Sequence, residues 1–139
     1  VVGISSIGGL IGLPARTGYS ASKYAMQGFL NSLRTENKKT GLHVMVACPG
    51  FTSSNIRNTA LTADGSPQGK SPREEGKMMS AEKVADYIYK GVTKRKRTVT
   101  MTLDGLLVRG IGRIFPKLFE RVVYNTLAKE PDSPFEKLD

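Results

Sequence analysis

Short apolar segments alternate with longer segments of helical periodicity along this chain, and this order limits the folds that it can adopt. The apolar segments have the length and β-branched character of strands buried in a parallel sheet. Strand, helix, strand, helix and strand in succession give a parallel sheet joined by right-handed crossovers. The predicted strands cover residues 1–6, 42–48 and 98–103, and the predicted helices cover 19–39, 80–93 and 106–127. The sequence therefore predicts an α/β protein.

Local signals support the helices and separate them from one long irregular segment. The first helix is expected to pack through Ala21, Ala25, Phe29, Leu30 and Leu33. Ser80 is a favourable N-cap for the second helix, and Pro116 interrupts the third. Residues 55–79 lack a sustained period and hold one short predicted helix near their beginning. Because so long an irregular segment is usually functional, we predict a substrate lid, with Met78 and Met79 as adaptable apolar contacts.

Three strands form a small sheet with two open edges, which fits one half of a doubly wound sheet better than a whole one. The first residues already lie inside an apolar strand. We therefore predict that residues 1–139 are the C-terminal half of a single domain whose N-terminal half is absent. Within this half, residues 104–139 are predicted to form a C-terminal helical extension.

Charge and composition bear on the possible classes of function. The chain has a net charge of +9, but no aromatic residues interleave with the basic cluster at 90–97. A solvated connection is therefore favoured there, and nucleic-acid binding is not predicted. No apolar run approaches the roughly 20 residues of a membrane span. The lone Cys48 agrees with a cytoplasmic location and is predicted to be a small buried hydrophobe. His43 is predicted to be structural, and no metal site is predicted.

Tyr19 and Lys23 lie four residues apart near the beginning of the first predicted helix, so they share a face. A lysine ammonium in this position favours the phenolate form of tyrosine, which can then exchange a proton with a substrate oxygen. Ser6 lies at the carboxyl end of the first predicted strand, where open parallel sheets bind their ligands. Its hydroxyl can donate to a carbonyl oxygen or a developing alkoxide. These three side chains are the candidate catalytic residues.

In this arrangement the chain resembles the short-chain dehydrogenase/reductase family, classical type, from residue 1 to about residue 103. The resemblance is carried by Ile4-Ser5-Ser6, a glycine-rich loop, Tyr19-Ser-Ala-Ser-Lys23, and Pro49-Gly50 after the next strand. Tyr19 follows Ser6 by the family's usual thirteen residues, which favours Ser6 over Ser5. The resemblance implies a Rossmann-like doubly wound sheet and NAD(P)-dependent oxidoreductase activity on alcohols and carbonyls.

The resemblance also implies a role for each matching position. Tyr19 would exchange the substrate proton, Lys23 would hold the ribose hydroxyls of NAD or NADP, and Ser6 would polarise the reacting C–O group. Further cofactor contacts are expected from Pro49, Gly50, Phe51, Thr52 and Ser54, the last replacing a threonine common in the family. The substrate site is expected to include Ser6, Ile7, Gly8, Met78 and Met79.

Other family features are missing from this sequence. The glycine-rich turn that cradles the dinucleotide phosphates is absent, so the isolated chain is expected to bind cofactor poorly and to turn over little. The alternative is a non-catalytic truncated chain that acts as an oligomerisation or binding module. Family members are usually homodimers or homotetramers.

The last predicted helix is amphipathic and basic between residues 106 and 123. Packing on its own sheet and lid is the favoured interpretation, and contact with a membrane surface or a partner subunit is the alternative. Together with the lid methionines, its apolar and basic side chains favour a large, partly apolar or acidic small-molecule substrate.

Overall fold

In the computed structural model, which describes residues 1–14, 16–61, 64–67, 78–128 and 135, three parallel strands form one sheet. The strands are β1 (Val2–Ile4), β2 (Met45–Cys48) and β3 (Thr98–Thr100), in that order across the sheet. Ala47 of β2 lies opposite Ile4 of β1 and Val99 of β3. The parallel sheet and the order of its elements confirm the predicted α/β class.

Helices connect and follow the strands. They are α1 (Thr17–Glu36), α2 (Ile56–Thr59), α3 (Ala81–Thr93), α4 (Leu103–Ile114) and α5 (Pro116–Leu127), and a 3-10 turn (Ile7–Gly9) follows β1. The hydroxyl of Ser80 accepts a hydrogen bond from the Lys83 amide at 3.2 Å, which confirms the predicted cap of α3. Pro116 is the first residue of α5, where its missing N–H costs no intrahelical bond. The predicted interruption is therefore a boundary between two helices.

Helices cover both faces of the sheet because successive side chains of β2 point to opposite sides. On the face towards α1, the buried cluster consists of Leu30, Val44, Val46 and Cys48, with Leu10, Met26 and Leu33 packed against it. On the face towards α3, the buried cluster consists of Met45, Ala47, Val99 and Met101, with Met79, Val84 and Ile88 packed against it. This arrangement is that of a doubly wound sheet.

Two expectations about burial are wrong. The first strand was expected to be buried, but Val2 and Ile4 are 37% and 53% exposed. Gly3 faces Leu30 of α1, and the side chains of Val2 and Ile4 point to the opposite face of the sheet. On that face α3 packs on β2 and β3 rather than on β1.

The inward face of α1 also differs from the predicted one. Leu30 is buried, but Ala21, Ala25 and Phe29 are exposed. The row that faces the sheet and the loop after β1 contains Ser20, Lys23, Met26 and Gln27 before it reaches Leu30. Hydrogen bonds from these polar side chains stabilise the packing, so apolar periodicity alone does not identify the inward face.

At the amino end of the sheet, the loops before β2 and β3 lie side by side. His43 makes a hydrogen bond through Nε2 with the carbonyl oxygen of Lys96 at 2.9 Å. Arg34 donates to the carbonyl oxygens of Val44 and Arg97. Burial lowers the pKa of Arg34, and the positive charge of Arg97 lowers it further. These contacts support the structural interpretation of His43. The residue lies at the amino end of the sheet, and the candidate catalytic residues lie at its carboxyl end.

Candidate active site

The predicted site residues gather where β1 and β2 end, at the carboxyl edge of the sheet. Ser6 begins the 3-10 turn, and its Oγ accepts a hydrogen bond from the Gly8 amide at 3.2 Å. The amide of Ile7 donates to the carbonyl oxygen of Pro49 at 3.2 Å. The loop after β1 is therefore tied directly to the loop after β2.

Tyr19 and Lys23 lie in the first two turns of α1, next to the carboxyl edge of the sheet. The Nζ of Lys23 lies 5.7 Å from the centre of the Tyr19 ring. The same ammonium group donates to the carbonyl oxygen of Ile4 at 3.2 Å, and this bond uses one of its three N–H groups. Tyr19 is 44% exposed, so the residue remains accessible at this edge.

Gly8 brings the loop after β1 and the Tyr19 ring together. A Cβ placed on Gly8 would lie 3.0 Å from Cε1 of Tyr19 and 2.9 Å from Cδ1 of Leu13. The missing side chain therefore lets the ring approach the backbone of the turn that Ser6 begins. Ser6 accepts a hydrogen bond from the Gly8 amide, and the Tyr19 ring occupies the space that a side chain at Gly8 would need, so two of the candidate side chains lie next to the same residue.

The neighbouring serines have different environments. Ser5 is 3% exposed, and its Oγ donates to the Lys23 carbonyl at 3.3 Å and accepts from Nε2 of Gln27 at 3.2 Å. Ser5 thus fastens β1 to α1. Ser6 is only half-buried. The geometry agrees with the choice of Ser6 over Ser5 as the residue that meets a substrate.

The segment after β2 forms the other side of the edge. A Cβ on Gly50 would lie 2.9 Å from Cγ2 of Thr102 and 3.4 Å from Cδ1 of Ile7. The hydroxyl of Thr52 donates to the Gly50 carbonyl at 3.2 Å. Phe51 and Ser54 are exposed. Pro49 and Gly50 thus contact the loop that holds Ser6, while Phe51 and Ser54 face solvent.

Met79 is more firmly held than a lid residue would be. Its amide donates to the Phe51 carbonyl at 3.0 Å, and its carbonyl accepts from the Ser53 amide at 2.9 Å. It pairs with Thr52 as a parallel bridge and packs against the core on the α3 face. Met78 is half-buried. The rest of the predicted lid is described only at 55–61 and 64–67, and its residues 62–63 and 68–77 lie outside the described part.

Sequence reasoning missed the contribution of the residues after β3. Thr102 contacts Gly50, and its Oγ1 caps α4 by accepting from the Gly105 amide at 3.1 Å. Gly105 is buried against Ile7 and Thr100. A threonine just before an apolar helical segment is a capping signal, which would have placed the beginning of α4 at this edge.

A cavity of about 610 Å³ lies beside the site, between the loop after β1 and α5. Its lining includes Leu10, Ile11, Tyr24, Phe119, Tyr124, Lys117 and Arg121, but neither Ser6 nor Tyr19. Burial raises the pKa of Tyr24. The cavity therefore adjoins the loop of the candidate site without containing its reactive groups.

Cys48 ends β2 close to these residues but is fully buried. Burial raises the pKa of its thiol to about 11, and the positive charge of Arg109 opposes this shift. The thiol is therefore neutral at physiological pH, which confirms the prediction of a small buried hydrophobe.

Comparison with known proteins identifies the family of this chain. The family model described as short chain dehydrogenase matches residues 1–65. Dehydrogenase/reductase SDR family member 7B of Rattus norvegicus is 38% identical over 135 residues, a match that covers 96% of this chain and 41% of the rat protein. The chain belongs to the short-chain dehydrogenase/reductase family. It spans about two fifths of the length of the curated relatives that it matches.

Solved structures of short-chain dehydrogenases share the fold. The enzyme from Sphingobium yanoikuyae in complex with NADPH has a TM-score of 0.59 at 15% identity, over 98% of this chain and 47% of that one. The Burkholderia phymatum dehydrogenase/reductase in complex with NAD has a TM-score of 0.57 at 17% identity, over 97% of this chain and 50% of that one. The sheet and helices described above are thus part of the Rossmann-like fold of this family.

Proposed function

We propose that this chain is the catalytic and substrate-binding half of an NAD(P)-dependent oxidoreductase that interconverts alcohols and carbonyls. The observation that carries the proposal is the arrangement around Gly8. The Ser6 hydroxyl accepts a hydrogen bond from the amide of this residue, and the Tyr19 ring occupies the space that a side chain there would need. The Lys23 ammonium lies 5.7 Å from the centre of the same ring. Since the chain spans about two fifths of its relatives, the proposed activity belongs to the whole protein.

In the proposed reaction, Tyr19 donates its phenolic proton to the substrate oxygen during reduction and accepts it during oxidation. The positive charge of Lys23 stabilises the phenolate that remains. Ser6 donates a hydrogen bond to the same substrate oxygen, where negative charge develops. When this hydroxyl turns towards substrate, its oxygen can still accept from the Gly8 amide, because one hydroxyl both donates and accepts.

The residues present fit the nicotinamide end of NAD or NADP. Lys23 has N–H groups beyond the one bonded to Ile4, and these can donate to ribose hydroxyls. Gly50 has no side chain, and exposed Phe51 and Ser54 follow it at the same edge. The bound cofactor would supply or accept the hydride. The cofactors named for the two solved structures, NADPH and NAD, support a nicotinamide cofactor without choosing between the two.

We further propose a large, partly apolar substrate. The cavity next to the loop after β1 supports this class, since its lining combines Leu10, Ile11 and Phe119 with the cationic side chains of Lys117 and Arg121. An apolar chain that ends in an acidic group would match both kinds of side chain. Following the family resemblance, the whole protein is proposed to act as a homodimer or homotetramer.

The decisive experiment compares two partly exposed tyrosines in the full product of the native gene. Tyr19→Phe should lower kcat for NADH- or NADPH-dependent carbonyl reduction by about 100-fold or more, because it removes the proton donor. Tyr87→Phe on α3 is the matched control, since Tyr19 and Tyr87 are exposed to a similar extent, at 44% and 36%, and Tyr87 does not line the cavity. The control should retain activity. Intact mass and N-terminal sequencing of that product establish whether it carries a nucleotide-binding half.

Two results would contradict the proposal. One is equal activity of the Tyr19→Phe and wild-type proteins. The other is a gene product without the nucleotide-binding half that neither binds nor oxidises NADH or NADPH, which would favour the non-catalytic binding module.

A further inference from the structure

The large apolar side chains of α4 face away from the sheet. Leu103, Leu107 and Ile114 are 79%, 59% and 69% exposed. At 100° per residue they lie within about 40° of one another around the helix axis, so they form one row. In a helix that packs on its own core, such a row would be the buried face. The expectation that this helix packs its apolar face on the sheet is therefore wrong.

Glycine explains why the row faces outward. Gly105 and Gly112 lie on the opposite side of α4 from Leu103, and they form its inner face. A Cβ on Gly105 would lie 2.8 Å from Cγ2 of Thr100 and 2.9 Å from Cδ1 of Ile7. The helix therefore approaches the sheet edge so closely that a large side chain has no room there.

The apolar row continues along the chain into α5. Phe115 and Leu118 are 58% and 56% exposed. In α5 the inner positions are taken by Phe119 and Val123, which line the cavity and are at least half-buried. We call Leu103, Leu107, Ile114, Phe115 and Leu118 the outward row.

Cationic side chains border the outward row. Lys117 and Arg121 are exposed, lie four residues apart, and both lie on one side of Leu118, within about 100° of it around the axis of α5. Glu120, the acidic side chain that the structure describes on these two helices, lies on the side of α5 away from Leu118. The surface thus combines apolar and positive character.

We propose that the outward row lies on the surface of an anionic phospholipid bilayer. Basic amphipathic helices bind such surfaces through their apolar side chains, and acidic headgroups attract the neighbouring lysines and arginines. A second copy of the chain would bring two surfaces of like charge together, each from a chain of net charge +9. No described helix is long and apolar enough to cross a membrane.

Co-sedimentation of the full chain with lipid vesicles tests this proposal. The chain should bind vesicles of phosphatidylcholine that contain about one third phosphatidylserine, and bind pure phosphatidylcholine more weakly. Leu107→Asp with Ile114→Asp should lower the binding to anionic vesicles about tenfold or more. Ile56→Asp is the matched control and should leave binding unchanged, because Ile56 is as exposed as Ile114, at 69%. Lys117→Glu with Arg121→Glu should lower binding to the vesicles that contain phosphatidylserine and leave the weaker binding to pure phosphatidylcholine unchanged.

A fluorescent label gives a second measurement that does not depend on the aspartate variants folding. The emission maximum of a polarity-sensitive dye attached to Ile114→Cys should shift to shorter wavelength when anionic vesicles are added. The emission maximum of the same dye attached to Ile56→Cys should not shift. The native Cys48 is buried and does not compete for the label. Equal responses at both positions, or no vesicle binding by the wild type, would overturn the proposal. Light scattering that shows a dimer, lost on Leu107→Asp with Ile114→Asp, without vesicle binding, would assign the row to a second copy instead.

Discussion

The Lys23 ammonium donates a hydrogen bond to the carbonyl oxygen of Ile4 at 3.2 Å, so the helix that carries Tyr19 is tied to the last residue of β1. A second tie lies one residue further along the chain, where Ser5 bonds the Lys23 carbonyl and the Gln27 amide group. Both ends of Lys23, its backbone and its charged tip, are therefore fixed by the same strand. This fixed position keeps the charge beside the Tyr19 ring.

The contact between Gly8 and Tyr19 predicts a sensitive position that is not itself reactive. Gly8→Ala would place a methyl group against the Tyr19 ring and displace it, because Cε1 would lie only 3.0 Å away. We expect kcat of the whole protein to fall about tenfold or more, since small displacements of a reacting group are costly. Gly12→Ala is the control, because a Cβ there meets no atom within 4 Å. Similar kcat values for the two variants would contradict this role of Gly8.

The two neighbouring serines should separate stability from catalysis. Ser5→Ala removes buried hydrogen bonds between β1 and α1, and it should lower the free energy of unfolding by about 1 kcal/mol with a small effect on kcat. Ser6→Ala should do the reverse, lowering kcat about tenfold or more at nearly unchanged stability. Urea denaturation and steady-state kinetics of both variants provide the measurements. A larger loss of kcat in Ser5→Ala than in Ser6→Ala would exchange the assigned roles.

Cys48 should make the protein less stable in alkaline solution. Its thiol has a pKa of about 11 in the folded chain, because burial disfavours the thiolate, and about 8.5 when unfolded. Between these values the unfolded chain has lost the proton that the folded chain keeps, so the free energy of unfolding falls as pH rises. We expect it to fall by about 2 kcal/mol more in the wild type than in Cys48→Ala across this range. The free energy of unfolding of both proteins is measured by urea denaturation at several pH values in this range. An equal fall in the two proteins would contradict the raised pKa of Cys48.

Thr100 offers a stabilising substitution. Its Oγ1 is buried without a hydrogen-bond partner among the described residues. Thr100→Val keeps the shape of the side chain and removes the unsatisfied hydroxyl, so the free energy of unfolding should rise by about 1 kcal/mol. Thr98→Val, on the same strand, should change it less. A loss of stability in Thr100→Val would show that this hydroxyl finds a partner in solution.

The order of elements could be predicted from the sequence because strands and helices differ in period and are separated by turns and caps. Ser80 and Pro116 mark helix boundaries through local geometry alone. The same holds for Tyr19 and Lys23, since a spacing of four residues on a helix brings side chains together whatever surrounds them.

The orientation of two helices could not be predicted in this way. The inward row of α1 is partly polar, and Ser20 and Gln27 become suitable for burial only through their partners Leu13 and Ser5, which both follow β1. Glycines form the inner face of α4, and their lack of a side chain allows the helix to approach Ile7 and Thr100 closely. The bridge between Thr52 and Met79 joins segments that no local pattern connects.

The open edge of β1 bears on the position of the Lys23 charge. Val2 and Ile4 are exposed, while the backbone oxygen of Ile4 holds the Lys23 ammonium. A strand that pairs with this edge would change the twist of β1, and with it the position of the positive charge beside Tyr19. Under the proposed mechanism, a strand added at this edge would therefore also affect proton transfer by Tyr19.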